Sequence, residues 1–377
     1  MFIRQLETST WQLVASSYFS VSCSRSRIQI EMSEISKKKI VYKIGKPLRK
    51  YLAQFDREQK VPLSYSDLTR FTSRISLKDR FGKDTLWDSV YYSNADMIDI
   101  YDGLKKIYAI LKIGGDLSVT EHLFIDRIDL CVYGNTKPFR VRVVNRINDN
   151  YDYFYVKVAD ASRVYGLELE HILSPNNISY LIDGDTLIED HIVGIPGDMF
   201  IKQYLQLMNL NKIRLAKEFV KFNERCFIRL LGDMHSSNYV IEMTPDFEEF
   251  HYRIRAIDFD QQCYEGAKWV YLPQFFKQNN ALIDIVREVL SEESIQQYQF
   301  EERAMMASRL RANKYRIKGL WDAVIRDTIA PQAHVEKLRN ELAKYYNDPD
   351  FLKCRQMGAI IRTSLYRLLK DTRVRKK

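Results

Sequence analysis

Between His122 and Val193 the apolar residues fall into five short β-type runs, with one helical run between the third and the fourth. That order restricts the fold more than any other feature of the chain. The runs His122–Tyr133, Phe139–Ile147 and Tyr153–Val158 are separated by the turn groups Gly134-Asn135-Thr136-Lys137-Pro138 and Asn148-Asp149-Asn150, which predicts an antiparallel three-stranded meander. A helix is expected over Ala161–Leu173, closed by Ser174-Pro175-Asn176-Asn177, followed by strands Ile178–Ile182 and Thr186–Val193 pivoting on Asp183-Gly184-Asp185. Beyond Gly197 the spacing is helical through Met199–Met208 and Asn211–Leu230, and again from Pro273 to Leu369, interrupted by apolar runs around 238–243 and 252–258. A strand-rich segment followed by a helical one reads as an α+β chain.

The flanks are expected to differ. From Ser66 to about Ile113 the apolar residues recur at helical spacing, most clearly Met97, Ile98, Tyr101, Leu104, Ile107, Tyr108 and Leu111, until Gly114-Gly115 ends the pattern. Residues 33–60 are Lys-rich and read as a mobile or surface-lying basic arm. The expected division is therefore a basic, partly disordered extension over 1–60, a helical extension over 61–120, a β-rich lobe over 121–194 and a helical lobe over 195–377.

Composition narrows the function classes. At 46% hydrophobic and 12% aromatic residues, disorder over most of the chain is excluded, and 377 residues suffice for two or three compact units. The net charge of +9 favours an anionic partner such as phosphate, nucleic acid or a membrane surface. Five cysteines without a CxxC pair indicate neither a disulfide framework nor a zinc finger, and a cytoplasmic location fits best. No run approaches the roughly 20 apolar residues of a membrane span. Trp11–Val21 is a short, Ser-broken stretch preceded by Glu7, a poor signal core, and Met32 opens a more ordinary beginning, so residues 1–31 read as an extension or targeting tail. Lys370, Arg373, Arg375, Lys376 and Lys377 read as a solvated tail, and Arg309, Arg311, Lys314, Arg316 and Lys318 as a stripe facing an anionic substrate or membrane.

The chemistry concentrates in Leu231-Gly232-Asp233-Met234-His235-Ser236-Ser237-Asn238 and in Ile257-Asp258-Phe259-Asp260. Asp233 and Asn238 lie between the end of a long helix and a short apolar strand, and Asp258 ends a second apolar strand. Phosphoryl transfer from ATP needs this inventory: a carboxylate to orient the attacking hydroxyl, and an amide oxygen plus a carboxylate as hard ligands for Mg²⁺.

These residues resemble the protein-kinase-like superfamily, and more closely its small-molecule phosphotransferase branch, the aminoglycoside kinases among them, whose catalytic loop reads GDxHxxN. The resemblance implies a bilobal fold with a five-stranded antiparallel amino-terminal lobe and a mostly helical carboxy-terminal one. It implies Asp233 as catalytic base, His235 as a residue ordering the loop, Asn238 and Asp258 as Mg²⁺ ligands, and Asp260 as a further metal contact or a cap. Lys157, in Tyr155-Val156-Lys157-Val158-Ala159, matches the lysine that grips the α- and β-phosphates, with Glu168 or Glu170 as its helix partner. Glu189, His191 and Ile192 stand where the hinge would meet the adenine edge. The chain departs from the pattern in three places: a 134–138 turn with one glycine, Leu231 in place of His, and no APE-like segment after Asp260. What the resemblance implies is an ATP- and Mg²⁺-dependent kinase acting on a hydroxyl of a small molecule, sugar or lipid head group, with a protein acceptor still open. The alternative is a pseudokinase or basic binding protein for nucleic acid, membrane or a partner protein.

Overall fold

The structure, a computed structural model, describes residues 39–79, 81–134, 136–207, 210–247 and 249–374. Helix α1 (Lys46–Gln54) carries Pro47 in its first turn, where a missing N–H costs nothing. A short turn, α2 (Tyr65–Leu68), is closed by the reciprocal Ser64–Asp67 capping box. Strands β1 (Ser73–Lys78) and β2 (Asp84–Tyr91) form an antiparallel hairpin. Helix α3 (Asn94–Ile113) is N-capped by Ser93 and stops at Gly114, whose φ of 65° is left-handed.

Strands β3 (Leu123–Leu130), β4 (Phe139–Asn145) and β5 (Tyr151–Val158) follow as the meander. Then come α4 (Ala161–Leu173) and strands β6 (Tyr180–Asp183) and β7 (Thr186–Asp190). Together they make one seven-stranded sheet in the order β1-β2-β3-β4-β5-β7-β6. One face is apolar: Ile100, Leu104, Ile107 and Leu111 of α3 pack on Ile125, Val141, Val143, Phe154 and Val156. Side chains alternate across a strand, so Tyr153, Tyr155 and Lys157 of β5 point to the opposite face, which borders the cleft.

The second half starts with β8 (Ile195–Pro196) and α5 (Gly197–Gln203), followed by α6 (Lys212–Arg229). Strands β9 (Tyr239–Asp246) and β10 (Glu249–Ala256) complete a three-stranded sheet with β8. Helices α7 (Asn280–Val289), α8 (Glu292–Ala312), α9 (Lys314–Val324), α10 (Gln332–Tyr346) and α11 (Met357–Val374) build the rest. Their apolar stripes close on the large core around Phe219, Phe222 and Leu338, and α4 contributes Val164, Leu167 and Ile172 to that same core. Among the described residues no helix is long and apolar enough to cross a membrane.

Two expectations are corrected. The sheet has seven strands rather than five, because residues 73–91, expected to be helical, form the β1–β2 hairpin. Nearly every residue of β1 is exposed, so it lacks the buried alternate face by which a strand is recognised. The basic segment before residue 60 is also packed from Lys39 onward. Lys39 bonds Asp160 in a buried site, Tyr42 N donates to Asp160 at 2.8 Å and Ala161 N to Tyr42 O at 2.8 Å. Leu48, Tyr51 and Leu52 of α1 enter the large core, and a Cβ at Gly319 of α9 would lie 3.1 Å from the Tyr51 ring. Gln59 N then reaches Ile182 O of β6 at 2.9 Å. This segment is a strap lying on both halves of the molecule. Residues 1–38, with Cys23 and the expected targeting tail, and the closing 375–377 lie outside the described residues.

Candidate active site

Helix α6 ends at Leu230 in a left-handed conformation (φ 55°), and the chain turns straight into Leu231–Asn238. Gly232 has no room for a side chain: a Cβ would meet Val270 at 3.0 Å and Gln261 O at 3.2 Å. Asp233 is itself left-handed at φ 60°, a conformation that costs a non-glycine residue free energy and persists where the surroundings enforce it. The enforcing contacts are Asp233 N to Val270 O at 3.0 Å, His235 N to Asp233 O at 2.9 Å and Asn238 Nδ2 to Asp233 O at 2.8 Å. The last of these turns the Asn238 amide oxygen away from the loop. Ser237 N donates to His235 Nδ1 at 3.3 Å, and burial lowers the His235 pKa, so this imidazole is a neutral acceptor holding the loop.

The β9–β10 hairpin explains the twenty-residue separation of Asn238 and Asp258. Its register pairs Tyr239 with Ala256, and Ile257 N donates to Asn238 O at 3.0 Å, so the residues just beyond the paired ends are neighbours. Asp258 accepts from Asp260 N at 2.9 Å on Oδ1, and its side chain is 38% exposed on the floor of the cleft.

Lys157 comes in from β5. Its Nζ donates to Glu189 of β7 at 2.6 Å, a pairing set by the register of those strands, in which Lys157 stands opposite Leu187 and Tyr155 opposite Glu189. Glu189 is shared with Arg163, in the first turn of α4. Burial raises the pKa of Glu189, but Arg163 and Lys157 outweigh it and hold the carboxyl at about 2. Burial, then Asp258, Glu265 and Asp260, push Asp233 up to about 7. Burial and Asp260 raise Asp258 despite Arg163. For Asp260, Arg163 and then Lys39 outweigh burial and hold it low.

Lys157, Glu189, His191, Ile192, Asp233, His235, Asn238, Asp258 and Asp260 all line one cavity of about 600 Å³. Glu168 and Glu170 do not. Glu168 accepts from Tyr51 and Tyr180 at 2.5 Å and from Arg316 at 2.9 and 3.0 Å; Glu170 faces Asn176 at 3.3 Å and Arg229. Neither pairs with Lys157, because α4 is buried on nearly all sides and its two glutamates are engaged from opposite faces by Arg316 and Arg229. The three arginines of the basic stripe are likewise engaged within the chain: Arg309 Nε and Nη2 donate to Ile172 O and His171 O at 3.3 and 3.2 Å, near the carbonyl end of α4, while Arg311 bonds Thr372 and Arg316 bonds Glu168; Lys314 and Lys318 are exposed.

No family model matches the chain, and no curated protein does. Among solved structures it is similar to the autoinhibited serine kinase domain of the giant muscle protein titin, at 13% identity over 65% of this chain and 92% of that one, with a TM-score of 0.26. It is similar also to titin kinase with its flanking domains, at 14% identity over 65% and 54% of the respective chains, TM-score 0.26. Both overlaps are too partial to bear on the site.

Sequence reasoning passed over Arg163 and the β2 residue Trp87, both of which line the cavity. For Arg163 a signal existed: a cation in the first helical turn opposes the helix dipole, so it demands an anionic partner from outside the helix. Trp87 gave none, lying in the hairpin taken for helix.

Among the described residues no three His, Cys, Asp or Glu side chains converge as a metal site. Asn238 and Asp258 alone suit a hard ion that takes its remaining ligands from phosphates and water, as Mg²⁺ does.

The raised carboxyl has a consequence for stability. Between the unfolded value of 3.8 and the folded value of about 7, the folded chain binds one proton more than the unfolded chain. The stabilisation is full at low pH and is lost as pH rises through about 7, at no more than about 1.4 kcal/mol per pH unit. Metal-free melts at pH 5.5, 6.5 and 7.5 are expected to show this decline, and Asp233→Asn to flatten it. An equal slope in the variant would assign the decline to other groups.

Proposed function

We propose that the chain is a bilobal kinase-like phosphotransferase that transfers the γ-phosphoryl group of ATP, with Mg²⁺, to a hydroxyl of a small molecule, sugar or lipid head group. The observation that carries this reading is the convergence of Lys157, Asp233, Asn238 and Asp258 from three separate parts of the chain, on one cavity with room for a nucleotide. Lys157, braced by Glu189, meets the nucleotide phosphates. Asn238 and Asp258 would hold Mg²⁺, which would neutralise phosphate charge. Asp233 accepts the hydroxyl hydrogen and aligns the oxygen for in-line attack, and its tendency to hold a proton eases once a cation sits beside Asp258. The 191–194 segment, with His191 and Ile192 in the wall, offers backbone groups to the base.

Calorimetric titration with Mg-ATP tests the reading. Binding is expected in the wild type, about tenfold weaker in Lys157→Met, corresponding to about 1.4 kcal/mol, and lost in Asp258→Ala. γ-Labelled ATP with panels of sugars, lipid head groups and other alcohols then identifies the acceptor. Nucleotide binding without transfer to any acceptor, protein included, would make the chain a pseudokinase. Absence of binding would sink the proposal.

A further inference from the structure

Arg163 lies against both Asp258 and Asp260 of the cleft. Its side chain is 2% exposed, and its five N–H groups all have acceptors on two separate parts of the chain. Nε and Nη2 hold the two oxygens of Glu189 on β7. Nη1 donates to Asp258 Oδ1 at 2.9 Å and to Asp260 Oδ1 at 2.8 Å. The remaining Nη2 hydrogen points to Ile257 O at 3.4 Å. A guanidinium with every donor engaged is a rigid planar cation. The helix bearing it is itself wedged: a Cβ at Gly166, one turn on, would lie 3.0 Å from Phe259 and 3.1 Å from Gln262.

The carboxylates this cation occupies are those that a two-ion site would share. A carboxylate that gives one oxygen to each of two ions needs both oxygens free, and Asp258 Oδ1 already accepts from Arg163 Nη1 and from Asp260 N, filling its two lone-pair sites. Asp260 is 8% exposed and turned toward the same guanidinium. One oxygen of Asp258 and the amide oxygen of Asn238 are left for a metal.

We propose that Arg163 is a built-in cation that takes the place of a second divalent ion, so that the cleft binds one Mg²⁺ per nucleotide and Asp260 serves as an anchor for Arg163 rather than as a metal ligand. The inference rests on the phosphotransferase reading. It makes Arg163 a positioning residue: it fixes Asp258 for the single ion, ties α4 to β7 and to the 257–260 segment, and holds Glu189, the carboxylate that pairs with Lys157.

The test is a Mn²⁺ titration of the full chain with a non-hydrolysable ATP analogue, counted by electron paramagnetic resonance. The expected result is one bound Mn²⁺ per wild-type chain, without the spin coupling of an ion pair. In Arg163→Gln, which frees Asp258 Oδ1 and Asp260 while removing the charge, the count is expected to rise to two. Two coupled ions in the wild type would overturn the inference and leave the phosphotransferase reading standing. A count of one in folded Arg163→Gln would also overturn it. Failure to bind nucleotide and metal at all would overturn both. Should Arg163→Gln not fold, the wild type still decides: the Arg163 Nε–H nuclear resonance is expected to persist and exchange slowly with water when metal and nucleotide are bound. Fast exchange on loading would show the guanidinium released and sink the idea.

Discussion

Asp233→Asn is expected to cut ATP-dependent transfer by about a thousandfold, within the range that a positioned general base contributes, while nucleotide and Mn²⁺ affinity stay within a few fold. The substitution keeps size and shape, and the bonds that hold the loop run through the backbone of residue 233: its N–H to Val270 O, and its carbonyl oxygen from His235 N and Asn238 Nδ2. Only the capacity to accept the hydroxyl hydrogen is removed. Single-turnover transfer gives the rate and calorimetry gives the affinity. Full transfer in the variant would remove Asp233 from the chemistry, whereas loss of binding together with rate would mean that its charge shapes the site.

Glu168→Ala is expected to have the largest effect on stability, about 3–5 kcal/mol, as for a buried charge pair broken on one side. Glu168 is fully buried and its two oxygens satisfy Tyr51 of α1, Tyr180 of β6 and Arg316 of α9, with Arg57 Nε 3.6 Å away. Removing it strands the Arg316 guanidinium beside a cavity. Urea unfolding measures the loss. Because replacing both members of a buried pair by apolar groups is often near neutral, Glu168→Met with Arg316→Met is expected to recover much of it. A double variant as unstable as the sum of the singles would mean that the two residues act independently.

The placement of these groups shows which features could be read in advance. Strands β3 to β7 and α4 were legible because their apolar residues alternate or recur on faces that are buried, and because Asp, Asn, Gly and Pro mark the turns between them. The loop of Asp233 and Asn238 was legible as a motif, and the β9–β10 register gives the physical reason for its distance from Asp258. The bracing of Lys157 was not legible. Two glutamates lay on the expected helix, and nothing in their spacing told that the large core would claim both faces of α4 and turn them toward Arg316 and Arg229. Glu189 was expected only to offer backbone to a base, yet its side chain is the carboxylate between Lys157 and Arg163. The charge of the amino-terminal arm misled in the same way: Lys39 and Arg57 look solvated in sequence, and their acceptors, Asp160 and the Tyr180 carbonyl, lie more than a hundred residues on.

The strap over 39–59 also limits how the cleft can work. With Tyr42 bonded to the start of α4, Tyr51 bonded to its middle and α1 lying on α9, that helix is bolted to the helical half rather than floating above the cleft. A switch that swings this helix outward would have to break the Lys39 and Tyr51 bonds together and expose Val164 and Leu167. Any opening of the cleft in this molecule therefore has to leave α4 fixed on the helical half.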